Sequence, residues 1–161
     1  MLGIIRNRFN SSRPIGYNVN IELPAGTGNE RYKYTFEQVI EPIVHQYQPE
    51  LIFVSAGQDA SRFDPLGRML VTVEGFHQMA SRVKSLAEQH CGGRLIACHE
   101  GGYSTAHAPF CALKILEAFR GKRSEVEDLF DQGYHEGPIY QNQIEAIDKV
   151  KKIQAGFWNF S

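Results

Sequence analysis

Two short, unbroken apolar runs, Leu51-Ile52-Phe53-Val54 and Leu95-Ile96-Ala97-Cys98, do most to fix what this chain can fold into. A strand with one wet face alternates polar and apolar residues. An unbroken run reads instead as a strand covered on both faces, as in a parallel sheet. Parallel neighbours need a long crossover, and the intervening sequence supplies one. Thr72 can cap a helix in which Phe76, Met79, Ala80, Val83, Leu86 and Ala87 form one stripe. Cys91-Gly92-Gly93 ends it, with glycine available for a left-handed turn.

The flanking sequence extends this pattern. Residues 1–15 hold Asn7, Asn10, Ser11, Ser12, Arg13 and Pro14 and read as irregular, with one domain over 16–161. Tyr17 to Leu23 reads as a strand stopped by Pro24, followed by a Gly-rich turn over 25–30. Thr35 and Gln38 have the spacing of a capping box, ahead of Phe36, Val39, Ile40, Ile43, Val44 and Tyr47 at helical period. Pro42 predicts a kink or a tightened turn there. Pro109 suits the start of a third helix, with Ala112, Leu113, Leu116 and Phe119 facing inward. Residues 120–141 are loop-rich, and Ile144, Ile147, Val150 and Ile153 edge a last helix. The expectation is an α/β fold, a parallel sheet flanked by helices, with so few strands that it resembles half of a larger sheet.

Charge and cysteine content narrow the function classes. A formal net charge of −1, with no Lys/Arg-rich run, gives no electrostatic basis for nucleic acid or an anionic membrane. Cys91, Cys98 and Cys111 have no CxxC spacing, which points to reduced thiols and a cytoplasmic location, with Cys98 and Cys111 as small core residues. No apolar run has the length of a membrane span.

In open α/β sheets, sites form at the carboxyl ends of the strands. Asp59 follows one such strand in Ser55-Ala56-Gly57-Gln58-Asp59, and Tyr103 follows the other in Glu100-Gly101-Gly102-Tyr103. If the two strands are neighbours, a carboxylate and a phenol share one crevice, with Asp64 in the same loop and Leu66 as an apolar wall. A plainer reading has Asp59 and Asp64 capping turns and Gly101-Gly102 merely turning the chain.

Gly57-Gln58-Asp59, Asp64-Pro65-Leu66-Gly67 and Glu100-Gly101-Gly102-Tyr103, preceded by Tyr17-Asn18-Val19-Asn20 and Leu23-Pro24-Ala25-Gly26-Thr27-Gly28, resemble the zinc-dependent histone deacetylase family. The resemblance is to class II-like members, including bacterial histone deacetylase-like amidohydrolases and acetylpolyamine amidohydrolases, and it runs in order from about Gly16 to Phe119. It implies an arginase/deacetylase-like fold and hydrolysis of an N-acetyl amide on a lysine or a polyamine. By resemblance Asp59 matches a carboxylate ligand of the catalytic Zn²⁺, and Tyr103 the tyrosine whose hydroxyl donates to the acetyl carbonyl. Leu66 matches a residue lining the mouth of the acyl-lysine tunnel and the Tyr17 carbonyl a ligand of a structural K⁺, while Gly101 and Gly102, lacking side chains, are read as substrate-binding because they let backbone approach a ligand closely.

The family's remaining zinc ligands come from an Asp-x-His element and its general base from a His-His pair. Neither occurs among His45, His77, His90, His99, His107 and His135. The sequence thus reads as a carboxyl-terminal portion of a deacetylase, incomplete by itself and served by a complementing amino-terminal chain or a homo-oligomer. The alternative is a non-catalytic remnant or interaction module. Ser55 and Ser104 lack a GxSxG elbow, and Gly26-Thr27-Gly28 lacks the third glycine of a dinucleotide fingerprint. Phe157, Trp158 and Phe160 read as an aromatic cluster docking onto the domain.

Overall fold

A computed structural model describes residues 2–4, 16–130, 136–137 and 140–160. His135 lies outside the described residues. The order of elements is β1 (Leu2–Ile4), α1 (Asn29–Thr35), a π-helical turn (Phe36–Ile40), α2 (Glu41–Tyr47), β2 (Ile52–Ala56), α3 (Val73–Cys91), β3 (Leu95–His99), α4 (Ala108–Arg120) and α5 (Gln141–Gln154).

The two apolar runs form β2 and β3. They pair in parallel from Ile52↔Leu95 to Ala56↔His99, joined by the α3 crossover. Thr72 caps α3 by accepting from the Gly75 N–H at 3.3 Å, and Gly92 ends it in the left-handed region at φ 59°. The stripe on α3 packs as read: Val83, Leu86, Ala87 and Cys91 join Phe36, Val44 and Ile52 in one core cluster.

The strands are less covered than their composition suggests. Ile96 keeps 47 % of its surface exposed, and Ala97 and His99 are also exposed. Among the described residues β3 pairs only with β2, so its outer edge is open. On the other side of β2, residues 2–4 form an antiparallel strand with register Leu2↔Val54 to Ile4↔Ile52. That part of the amino-terminal segment is ordered rather than irregular.

Local signals misplace several other boundaries. Residues 18–24 form no ladder and run as irregular chain, not a strand. The first helix begins at Asn29, inside the expected turn, because Asn29 reaches across to the start of α3. Its amide donates to Thr72 Oγ1 at 2.8 Å, and its carbonyl oxygen accepts from the Thr72 N–H at 3.0 Å. Thr35 is therefore mid-helix, its hydroxyl donating to the Arg31 carbonyl at 2.8 Å, and makes no capping box. Pro42 has no N–H to give. The turn before it is wound wider rather than tighter, with the Glu41 N–H reaching the Phe36 carbonyl.

On α4 the inward face is Ala108, Cys111, Glu117 and Ala118, whereas Leu116 is 63 % exposed. On α5, Ile147 and Val150 pack against Val39 and Ile43, beside Trp158 and Phe160, and Ile153 faces water. Among the described residues no helix is long and apolar enough to cross a membrane.

The buried carboxylate on α4 fastens the chain beyond it. Glu117 accepts from Lys114 Nζ at 2.8 Å, from the Ser124 N–H at 3.1 Å, and from the Ser124 hydroxyl. Burial alone would raise its pKa, but the Lys114 ammonium and the Ser124 donors prevail and lower it to about 2. A depressed carboxylate pKa gives stability that is full above the unfolded value near 4.5 and lost as pH falls toward about 2. Glu117→Ala leaves Lys114 and Ser124 unpaired, with an expected loss of about 3 kcal/mol at pH 7. Urea denaturation at pH 7 and pH 3 checks this, and the wild-type advantage should shrink at the lower pH.

Candidate functional site

Two loops leave the carboxyl ends of β2 and β3 side by side. Their pairing continues past the strands: the Glu100 N–H donates to the Ala56 carbonyl at 3.3 Å and the Gln58 N–H to the Gly101 carbonyl at 2.7 Å. Glycine is what allows this approach. A Cβ on Gly101 would lie 2.6 Å from Asp59 Oδ2, and one on Gly57 would lie 3.1 Å from Oδ1. Gly102 adopts φ +128°, where an added Cβ would also meet Gln58 Cβ at 2.8 Å. The Asp59 carboxylate is thereby set against Gly101, two residues before Tyr103. Asp59 and Tyr103, placed on separate strands by the sequence, belong to one surface.

Asp64 locks the two loops together. One carboxylate oxygen accepts from the Leu66 and Gly67 N–H groups at 2.9 and 2.8 Å. The other reaches across to the Tyr103 N–H at 2.6 Å. Burial would raise the Asp64 pKa, yet the backbone N–H groups of Tyr103, Gly67, Leu66 and Ser104 together hold it below the usual carboxylate range. Asp64 thus does more than cap its own turn, because its position sets the start of the Tyr103 segment.

A second tie lies beneath the first. His107 is fully buried, with its Nδ1 2.8 Å from Ser61 Oγ and its Nε2 3.3 Å from Asp128 Oδ2. A carboxylate only accepts, so Nε2 donates to Asp128, and Nδ1 and the Ser61 hydroxyl share the other hydrogen bond. The Phe63, Phe110 and Phe130 rings surround the imidazole at centroid distances of 4.8, 6.5 and 5.6 Å. Although these are the residue types of a hydrolytic triad, Ser61 is only 2 % exposed, so no substrate reaches it. The relay instead joins the Asp59 turn to the start of α4. A lone histidine before a helix gave no sequence signal for this, since Ser61 and Asp128 are distant in the chain.

Tyr32 on α1 is a further neighbour that its helical spacing concealed. Burial, and then the charge of Asp59, push its phenol up to about 12, so it stays protonated.

The residues named from the sequence are open to water: Asp59 is exposed, Tyr103 is 55 % exposed and Leu66 is 70 % exposed. Tyr17 packs its ring against Tyr47 and Trp158, at centroid distances of 5.7 and 5.6 Å. A catalytic zinc takes three protein ligands and keeps one position free. Among the described residues no group of three or more His, Cys, Asp or Glu side chains is placed to hold a metal ion. The described side chains do not fit a bound zinc, and Asp59 offers at most one ligand among them.

A sequence profile of the histone deacetylase domain matches residues 7–119, starting ahead of Gly16 and ending where the sequence reading ended, at Phe119. A histone deacetylase-like amidohydrolase from Pseudomonas aeruginosa is 42 % identical over 70 % of this chain and 30 % of its own length. A probable deacetylase from Archaeoglobus fulgidus is 45 % identical over 89 % of this chain and 42 % of its own length. The solved structure of the histone deacetylase Clr3 superposes with a TM-score of 0.75 at 27 % identity, over 90 % of this chain and 23 % of that one. The HDA15 HD domain superposes with a TM-score of 0.72 at 28 % identity. This chain spans less than half the length of either curated relative. With the profile covering most of its residues and the strand-end loops arranged as described, the chain belongs to the histone deacetylase family.

Proposed function

We propose that this chain forms one wall of a zinc-dependent deacetylase active site that hydrolyses an N-acetyl amide, on an acetylated lysine of a protein or on an acetylpolyamine. The observation that carries the reading is the cross-loop lock: Asp64 holds the Tyr103 segment while Gly101 receives the Asp59 carboxylate. In this role the Tyr103 hydroxyl donates to the acetyl oxygen as charge develops on it, and Leu66, Gly101 and Gly102 border the acyl-lysine. Asp59 supplies one anionic ligand. The other ligands and the base come from a complementing segment, because this chain lacks both the Asp-x-His and the His-His elements. The open edge of β3 and the exposed Ile96 favour such a partner.

By itself the chain is expected to show negligible turnover of acetyl-lysine peptides and no zinc held through Asp59. Mixed with a polypeptide carrying the missing elements, it should take up zinc and hydrolyse substrate. Tyr103→Phe should then reduce kcat about 100-fold, with zinc content unchanged. Zinc that is lost on Asp59→Asn, together with Tyr103-dependent turnover in the isolated chain, would overturn the incomplete-site reading. Failure to form a complex would favour the non-catalytic alternative.

A further inference from the structure

Away from these loops, two histidines from different helices meet at the surface. His45 lies in the last turn of α2 and His90 in the last turn of α3. His45 Nδ1 is 2.7 Å from His90 Nε2, with ring centroids 4.9 Å apart and planes inclined at 64°. The backbone beneath them is rigid. Val44, next to His45, and Ala87 and Cys91, flanking His90, all belong to the core cluster that packs α2 onto α3. The helices hold the two residues close, and their rings meet edge-on.

Two imidazole nitrogens bound to one borderline ion at about 2.1 Å each lie roughly 3 Å apart when the ligands are cis. The observed 2.7 Å is close to that separation. Turning the two rings so that both lone pairs converge on one point lets an ion bind between them, the proton of the N–H···N contact passing through water to the other nitrogen of its own ring. His45 is exposed and His90 partly so, which leaves room for water on the remaining positions.

We propose that His45 and His90 form a two-imidazole site for a divalent transition ion, separate from Asp59, that clamps α2 to α3. Two neutral nitrogen ligands with no carboxylate select Cu²⁺, Ni²⁺ and Zn²⁺ over Mg²⁺ and Ca²⁺, and affinity should fall in the order Cu²⁺, Ni²⁺, Zn²⁺. With only two protein ligands the site exchanges its ion readily.

The test is titration of the isolated chain with NiCl2 in a non-chelating buffer, followed by proton NMR of the histidine rings. Paramagnetic broadening should reach His45 and His90 first, while His77 and His99 stay sharp. His45→Gln and His90→Gln should each weaken Ni²⁺ binding at least 10-fold, and each should abolish the rise in melting temperature that Ni²⁺ produces. Asp59→Asn should leave both readouts unchanged, which separates this site from the deacetylase surface. Binding that survives His45→Gln, or broadening that begins at other rings, refutes the assignment, as does the absence of broadening at equimolar ion. Circular dichroism of each variant in the absence of metal confirms that a lost response is not a lost fold.

Discussion

Asp64→Ala should lower stability by about 4 kcal/mol, more than most single substitutions in a domain of this size. The carboxylate is the acceptor for the backbone N–H groups of Tyr103, Gly67, Leu66 and Ser104, and it is only 8 % exposed. Charge-assisted bonds of this kind contribute about 1.5–3 kcal/mol each before compensation by entering water. Alanine removes the acceptor and leaves the donors behind, so the penalty includes their desolvation. Asp64→Asn keeps one acceptor oxygen but loses the charge, and it should recover roughly half of the loss. The pH dependence has a definite sign. Because the folded pKa lies below the ordinary carboxylate value, the wild-type advantage is full above that value and falls as pH drops through the folded one. Urea midpoints for wild type and both variants at pH 7 and pH 3 measure this. Equal midpoints at pH 7 would falsify the lock.

Gly67→Ala should be nearly as damaging for a different reason. A Cβ at Gly67 would overlap the carbonyl oxygen of Asp59 and come within 3.4 Å of Asp64 Cβ. The overlap is with backbone, so no side-chain rotation relieves it. The Asp59 turn must shift, at an expected cost of about 3 kcal/mol. The effect is not confined to stability. The displaced carbonyl belongs to the residue that carries the site carboxylate, and the carbonyls on either side of it, Gln58 and Ala60, accept from the Ser61 and Val71 N–H groups. Hydrogen exchange should therefore accelerate at Ser61 and Val71 as well as at Gly67. Gly26→Ala is the control: nothing lies within 4 Å of a Cβ there, although its φ of +81° disfavours alanine. Gly67 has no positive φ, so a melting temperature lowered no more by Gly67→Ala than by Gly26→Ala would show that the overlap with the Asp59 carbonyl is relieved at little cost.

The legible parts of this molecule are those whose signals are local. Unbroken apolar runs located β2 and β3, and Thr72 and Gly92 gave both ends of α3, because each rests on residues a few positions apart. The pairing of two strand-end loops followed from the parallel crossover, and with it the placement of Asp59 near the Tyr103 segment. What stayed hidden depends on distant partners. Asn29 starts a helix because Thr72 receives it, and nothing in Gly-rich 25–30 announces that. Asp64 looked like a turn residue because its bonds to Leu66 and Gly67 are local, while the one to Tyr103 spans 39 residues. His107 depends on Ser61 and Asp128, 46 and 21 residues away. The exposure of Ile96 was misread because an apolar strand implies a cover without saying which chain provides it.

The short strand Leu2–Ile4 gives the sheet two unlike ends. Its antiparallel pairing already uses the side of β2 that faces away from β3, whereas the outer side of β3 carries no described partner. A strand arriving at β3 can zip onto free N–H and C=O groups at once. One arriving at β2 must first peel away a three-residue strand, exchanging hydrogen bonds rather than adding them. Growth of this sheet is consequently uneven: beyond β3 lies a five-residue edge, whereas the other end offers a newcomer only the three residues of β1 unless it displaces that strand.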